Sequence, residues 1–263
     1  MRKAHLSRHG KKISRLNRVL MKRLAGNHRT QMLNRTLGGA LAFVAGLMNA
    51  GGFLVLRQYT SHMTGTLSSI ADMAFLNEWG VVYRGISVIF CFILGSVFTT
   101  ICIVLGRDSQ SHSQYALPLI IEAGLLIVFS FIGFLSHCSV VDCLHLLMFL
   151  LSFVMGMQNA VITKISKAEV RTTHVTGTVT DIGIGIGWWL LSRFKGVALN
   201  PKFSLDKLQF NTILVCLFFL GGWAGAWGFS RIGFYFCLFP VAILLWLSLL
   251  PVWLDISSLR KRP

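Results

Sequence analysis

The sequence predicts an all-α, polytopic integral membrane protein built from two homologous halves. Three observations predict it: a composition too apolar for a soluble domain, six apolar runs of membrane-crossing length, and one polar motif per half. Of 263 residues, 54% are hydrophobic and 13% charged, and the mean hydropathy is +0.66. That balance belongs to a chain whose solvent is largely lipid.

Crossing the hydrocarbon takes about 20 mainly apolar residues as a helix. Residues 37–56, 83–105, 114–136, 144–163, 209–229 and 232–253 meet that requirement. The first run is too long for a signal-peptide core and lacks a small-residue cleavage site, so it reads as a retained helix. Two further stretches, 61–77 and 173–193, are helix-length but polar at their N-terminal ends, and either span or re-enter. The expected organisation is a basic extension (1–36), a first transmembrane repeat (37–136), a loop (137–143), a second repeat (144–253) and a basic tail (254–263).

The net charge of +16 is unevenly placed, because residues 1–36 carry eleven Lys or Arg and no acid. Within that stretch Ile13, Leu16, Leu20 and Leu24 recur at helical spacing, as in a basic helix lying on anionic headgroups. A topogenic positive-inside tail is the plainer reading, and an organellar transit peptide a third. Nucleic acid is not an expected partner, since the arm has no aromatic to stack on bases.

The positive-inside rule puts the N-terminus and Arg260-Lys261-Arg262 in the cytoplasm, so the number of crossings is even. Six crossings place Arg107, Lys164, Lys167 and Arg171 inside with Arg84 outside; eight reverse them. Charge therefore favours six, with the halves inverted. Length favours eight, because Gly183-Ile-Gly-Ile-Gly187-Trp-Trp could carry 173–193 to the far interface. The choice also sets the redox compartment of Cys138 and Cys143, whose spacing with His137, Asp142 and His145 matches no common zinc pattern.

The motif reads Gly46-Leu-Met-Asn49-Ala50, then His62-Met-Thr64-Gly65-Thr66. Its second copy reads Gly156-Met-Gln-Asn159-Ala160, then His174-Val-Thr176-Gly177-Thr178. On a helix, His62, Thr66 and Ser69 share a face, as do His174, Thr178 and Asp181. Thr60-Ser61 and Thr172-Thr173 are good helix N-caps. Helices starting at membrane depth would aim free N–H groups and positive dipole ends into the protein, as in transporters with discontinuous helices. The structural alternative is close packing and interhelical hydrogen bonding by small polar residues.

Three acids lie within apolar stretches: Asp72, Glu122 and Asp181. Such a carboxylate pairs or takes up a proton. Glu122 has no basic neighbour within a turn, so a partner would come from another helix. It is the foremost candidate for proton coupling, against the alternative of an interfacial Glu that reaches water.

These paired motifs resemble the YoaK family of bacterial membrane proteins (DUF1275), over about residues 37–253. The resemblance implies a multi-helix inner-membrane protein of no established molecular function. It carries motif membership for Asn49, His62, Thr64, Gly65, Asn159, Thr172, Thr173, Thr176 and Gly177. The chain departs from the family in its basic extension and in Thr66, where many members have Asn.

The expected function is a secondary transporter or permease for a small polar or anionic solute, seated where the two motifs meet. Asn49, His62, Thr64, Thr66, Asn159, His174, Thr176 and Thr178 would bind the solute, and Glu122, Asp181 and Asp72 would handle protons. Neither cofactor nor metal is expected. The alternatives are an integral-membrane enzyme with a His/Asp site, for which G-x-S-x-G, H-E-x-x-H and Walker-A patterns are lacking, and a scaffold recruited through the basic tail.

Overall fold

A backbone at membrane depth must satisfy its own polar groups, which leaves a long apolar run the α-helix. The computed structural model describes residues 31–108, 115–135, 141–165, 175–195 and 205–259, and among these no strand occurs. Its helices are α1 (Gln31–Leu56), α2 (Met63–Phe75), α3 (Trp79–Asp108), α4 (Ala116–Leu135), α5 (Val141–Ile165), α6 (Val175–Lys195), α7 (Leu205–Ile232) and α8 (Leu238–Leu259). Five described stretches are long and apolar enough to cross a membrane, the last being the 45 residues Leu205–Leu249. That stretch is broken by a 3-10 segment, Gly233–Cys237, so it forms two helices. Gly233 opens the break at φ 65, a left-handed conformation that glycine adopts without a Cβ penalty.

Contacts between helices fix their directions. A methyl group on Gly39 would strike Leu217, one on Gly221 the Phe43 carbonyl, one on Gly225 the Leu47 carbonyl, and one on Gly51 the Phe229 ring. Residue numbers rise together along both helices, so α1 and α7 are parallel. Between α1 and α5 they run oppositely: Gln158 Nε2 donates to the Leu41 carbonyl at 3.3 Å, while Gly52 lies against Leu151. Those two helices are antiparallel.

The links α3–α4 and α4–α5 have 7 and 5 residues. At about 3.5 Å per residue neither reaches across roughly 30 Å of hydrocarbon, so α3 and α5 point the same way. α1 then opposes α3, so the segment between them begins and ends on the side where α1 ends. α2, with 13 residues and so about 20 Å of length, makes no crossing. By the same logic α5 opposes α7, and the segment holding α6 also makes no net crossing. Antiparallel α8 follows from Phe239 against Phe43 and Ile243 beside Arg35 and Gly39.

Six crossings result: α1, α3, α4, α5, α7 and α8. Arg107 and Lys164 fall on the side where α1 begins and Arg84 near the other, as the charge argument expects. The Gly183–Trp189 run does not add a crossing, because α6 overhangs its support. Gly185 meets Leu208, near the start of α7, and the rest of α6 runs on with Trp188, Trp189 and Arg193. Aromatic and basic residues of this kind suit a membrane interface.

The α3–α5 contact repeats the α1–α7 contact with the same residue types. Gly46 lies on the Phe218 carbonyl and Gly221 on that of Phe43, while Gly156 lies on the Phe92 carbonyl and Gly95 on that of Phe153. Ser96 Oγ also donates to the Gly156 carbonyl at 3.1 Å, and Thr99 Oγ1 to that of Met157 at 3.4 Å. The buried core, including Leu41, Leu47, Leu126, Phe129, Leu151 and Leu244, fills the space between α1, α4, α5 and α8.

Cysteines at Gln58 and Lys164 should react with an impermeant thiol reagent from opposite sides of the membrane; labelling from one side would overturn the six-crossing arrangement. Gly46→Val and Gly156→Val should each destabilise the fold by about 1–3 kcal/mol through overpacking, read as a lower unfolding midpoint in detergent. Gly124→Val, where a Cβ meets open space, should not.

Candidate substrate site at a re-entrant helix start

The chain leaves α1 by a left-handed residue and turns back toward the membrane. Arg57 takes φ 55 and donates its N–H to the Phe53 carbonyl at 2.8 Å, closing the helix. Tyr59 then stacks on Phe53 with ring centres 4.4 Å apart. Two residues on, Ser61 Oγ donates to Asn49 Oδ1 at 2.7 Å. Asn49 precedes Leu56 by two helical turns, so the link has dipped about 10 Å below the end of α1. From that depth α2 rises again to meet α3.

This start leaves polar groups at membrane depth. The N-cap of α2 is His62, with φ −95 and ψ 71, and its side chain makes no capping bond. Thr66 donates both its N–H (3.0 Å) and its Oγ1 (3.1 Å) to the His62 carbonyl. The preceding N–H groups of Met63, Thr64 and Gly65 have no intrahelical acceptor, as in any first turn. Thr60 is 1% exposed, and its hydroxyl has no partner among the described residues. Gly65 is bare because a methyl there would strike the His62 imidazole.

Two expectations are corrected here. Thr60 and Ser61 do not cap α2; they point into the protein, and Ser61 is taken by Asn49. His62, Thr66 and Ser69 do not form one inward stripe, because His62 precedes the helix. Thr66 is buried against Gly85, whereas His62, Thr64 and Ser69 are exposed.

In the second copy, Thr172, Thr173 and His174 lie outside the described residues. Asn159 is buried and donates Nδ2 to the Met155 carbonyl at 2.8 Å. Thr176 is exposed and Thr178 half-buried. α2 packs on α3 and α6 on α7, with no substantial contact between α2 and α6. The described parts of the two motif helices are therefore not packed together: α2 rests on α3, and α6 on α7.

The three acids part company as well. Asp181 is exposed and pairs with Lys207 Nζ at 3.4 Å, and Asp72 is exposed near the end of α2. Glu122 is 0% exposed in α4, and neither carboxyl oxygen has a hydrogen-bond partner among the described residues. It is not an interfacial Glu that reaches water, and no other described helix supplies the expected partner. Gln158, not among the expected site residues, is fully buried, and its Oε1 has no partner among the described residues. Its signal was its place in the second motif, where the first has Met48. Of the cysteine and histidine spacer, His137 and Cys138 lie outside the described residues, and His145 stacks on Phe149.

Known proteins give this geometry a family but no chemistry. The chain is 26% identical over 148 residues to the UPF0700 transmembrane protein YoaK of Bacillus subtilis (strain 168), covering 56% of this chain and 64% of that one. It thus spans less than two thirds of that relative. No solved structure matches. The family described as "Protein of unknown function (DUF1275)" matches residues 37–250, and the chain belongs to it as a multi-pass membrane protein.

Proposed function

We propose that this protein is a secondary transporter or permease for a small polar or anionic solute, with Glu122 as its proton-coupling group. The observation that carries the reading is the start of α2 at membrane depth. Buried polar groups are expensive there, and a helix N-terminus with unbonded N–H groups is a ready anion site. Thr60 supplies an unused hydroxyl beside it, Asn49 holds the dipped link through Ser61, and Arg57 adds a cation toward the near surface. Re-entrant helix starts serve this role in transporters, whose halves commonly rock against each other. The repeated glycine crossing supports two equivalent halves of opposite orientation.

The solute site then belongs to each motif separately, with Asn159 and the start of α6 as its counterpart on the opposite side. The basic N- and C-terminal segments favour a cytoplasmic location for both ends, in an inner membrane. An integral-membrane enzyme has less support, because the polar groups described here surround a helix start rather than a nucleophile with its base.

Reconstituted protein should move one or more members of a panel of small anions, with proton movement followed by a trapped pH-sensitive dye. Asn49→Ala and Thr60→Val should each lower that flux at least about tenfold, the loss of roughly 1.4 kcal/mol of binding or barrier energy. Glu122→Gln should abolish proton movement while counterflow of the solute persists. Wild-type flux in all three variants would reject the reading, provided each elutes as folded protein.

A further inference from the structure

A groove of about 540 Å³ runs between α1, α7 and α8, well away from the start of α2. Its walls are apolar, made by Phe43, Ile213, Leu217 and Ile243, and its mouth is polar, with Arg35 and Gln209. The mouth lies at the N-terminal ends of two parallel helices, so the groove opens on the side where α1 and α7 begin. Arg35 is held there with its guanidinium 5.1 Å from the centre of the Phe210 ring. Among the described residues the ion pair is Lys207 with Asp181, and Arg35 has no carboxylate partner.

We propose that this groove binds an anionic phospholipid, with one acyl chain along the apolar walls and the phosphate at Arg35. An oriented, unpaired Arg above an apolar cleft matches the two ends of such a lipid, and basic pockets between transmembrane helices bind acidic headgroups. The charge around the mouth adds to this, since residues 1–36 supply eleven Lys or Arg and no acid. Asp206 at the rim is a counterweight that disfavours a second phosphate close by. Gly39 forms part of the floor, where a methyl group would press on Leu217 at 2.9 Å.

Native mass spectrometry of the full-length protein, released from mixed phosphatidylglycerol and phosphatidylcholine micelles, tests the assignment. The wild type should retain phosphatidylglycerol in preference to phosphatidylcholine. Arg35→Gln should reduce the phosphatidylglycerol retained by about fivefold, the size expected for one basic residue near the headgroups, and reduce phosphatidylcholine, whose choline offsets its phosphate, by less. Ile213→Trp, a substitution at an exposed position that fills the groove, should reduce both lipids, whereas Arg84→Gln on the opposite side should change neither. Retention unaffected by Arg35→Gln and Ile213→Trp would overturn the proposal. So would retention that appears only after residues 1–30 are removed, which would make the amphipathic Ile13–Leu24 segment the occupant.

Discussion

Everything in this bundle hangs on two helix crossings in which backbone touches backbone. Lipid tails are as apolar as leucine, so apolar side chains gain little by leaving lipid for another helix, and close packing must hold the helices together. Gly46 and Gly221 let α1 and α7 approach until each glycine meets a carbonyl of the other helix. Gly156 and Gly95 do the same for α5 and α3. Each crossing joins the first long helix of one half to the third helix of the other. The halves are therefore interlocked rather than side by side, and neither has a complete helix pair of its own at its centre.

That interlocking explains where the polar motifs end up. With α1 pinned to α7, and α5 to α3, the space beside each first helix is taken by a helix from the opposite half. The motif helices are left outside, on α3 and on α7. What draws α2 back to membrane depth is local and polar: the left-handed Arg57, the Tyr59 ring on Phe53, and the bond from Ser61 to Asn49. Asn49 thus holds the dip rather than lining a common central chamber. Thr60, next to that bond, is left with a buried hydroxyl that has no partner among the described residues.

Much of the fold was legible because helix existence depends on local hydropathy. The expected run 114–136 became Ala116–Leu135, 83–105 became Trp79–Asp108, and 61–77 became Met63–Phe75. Direction was not legible in the same way, since an apolar helix reads alike from either end. Charge at Arg84, Arg107 and Lys164 pointed to six crossings, while the length of the Gly183–Trp189 run pointed to eight. Length misled because it cannot show that α6 projects past the start of α7. The candidate site was legible in its residues and not in its geometry. Helical periodicity put His62 on the face of Thr66, but the helix begins one residue later, and a cap position obeys no helical period.

The duplicated pattern is most informative where it breaks. Pro118 near the start of α4 and Pro240 near the start of α8 stand in like positions, and four residues beyond them come Glu122 and Leu244. Both are fully buried, in helices that pack against each other. Leucine there is what packing alone would select. A carboxyl group in the same setting, with neither oxygen bonded to a described residue, weakens the core at a cost of about 1–3 kcal/mol. Asp181, which stands where the first copy has Ser69, has a surface partner in Lys207 that accounts for it, and Asp72 is exposed. Glu122 has no partner among the described residues, and stability offers no reason for it. A group that costs the fold energy and gains no bond in this conformation is explained if another state of the protein, or a transient ligand, completes it. The asymmetry that bears on the proposed mechanism therefore lies between α4 and α8, and not in the paired Asn-Ala and His-x-Thr-Gly-Thr motifs.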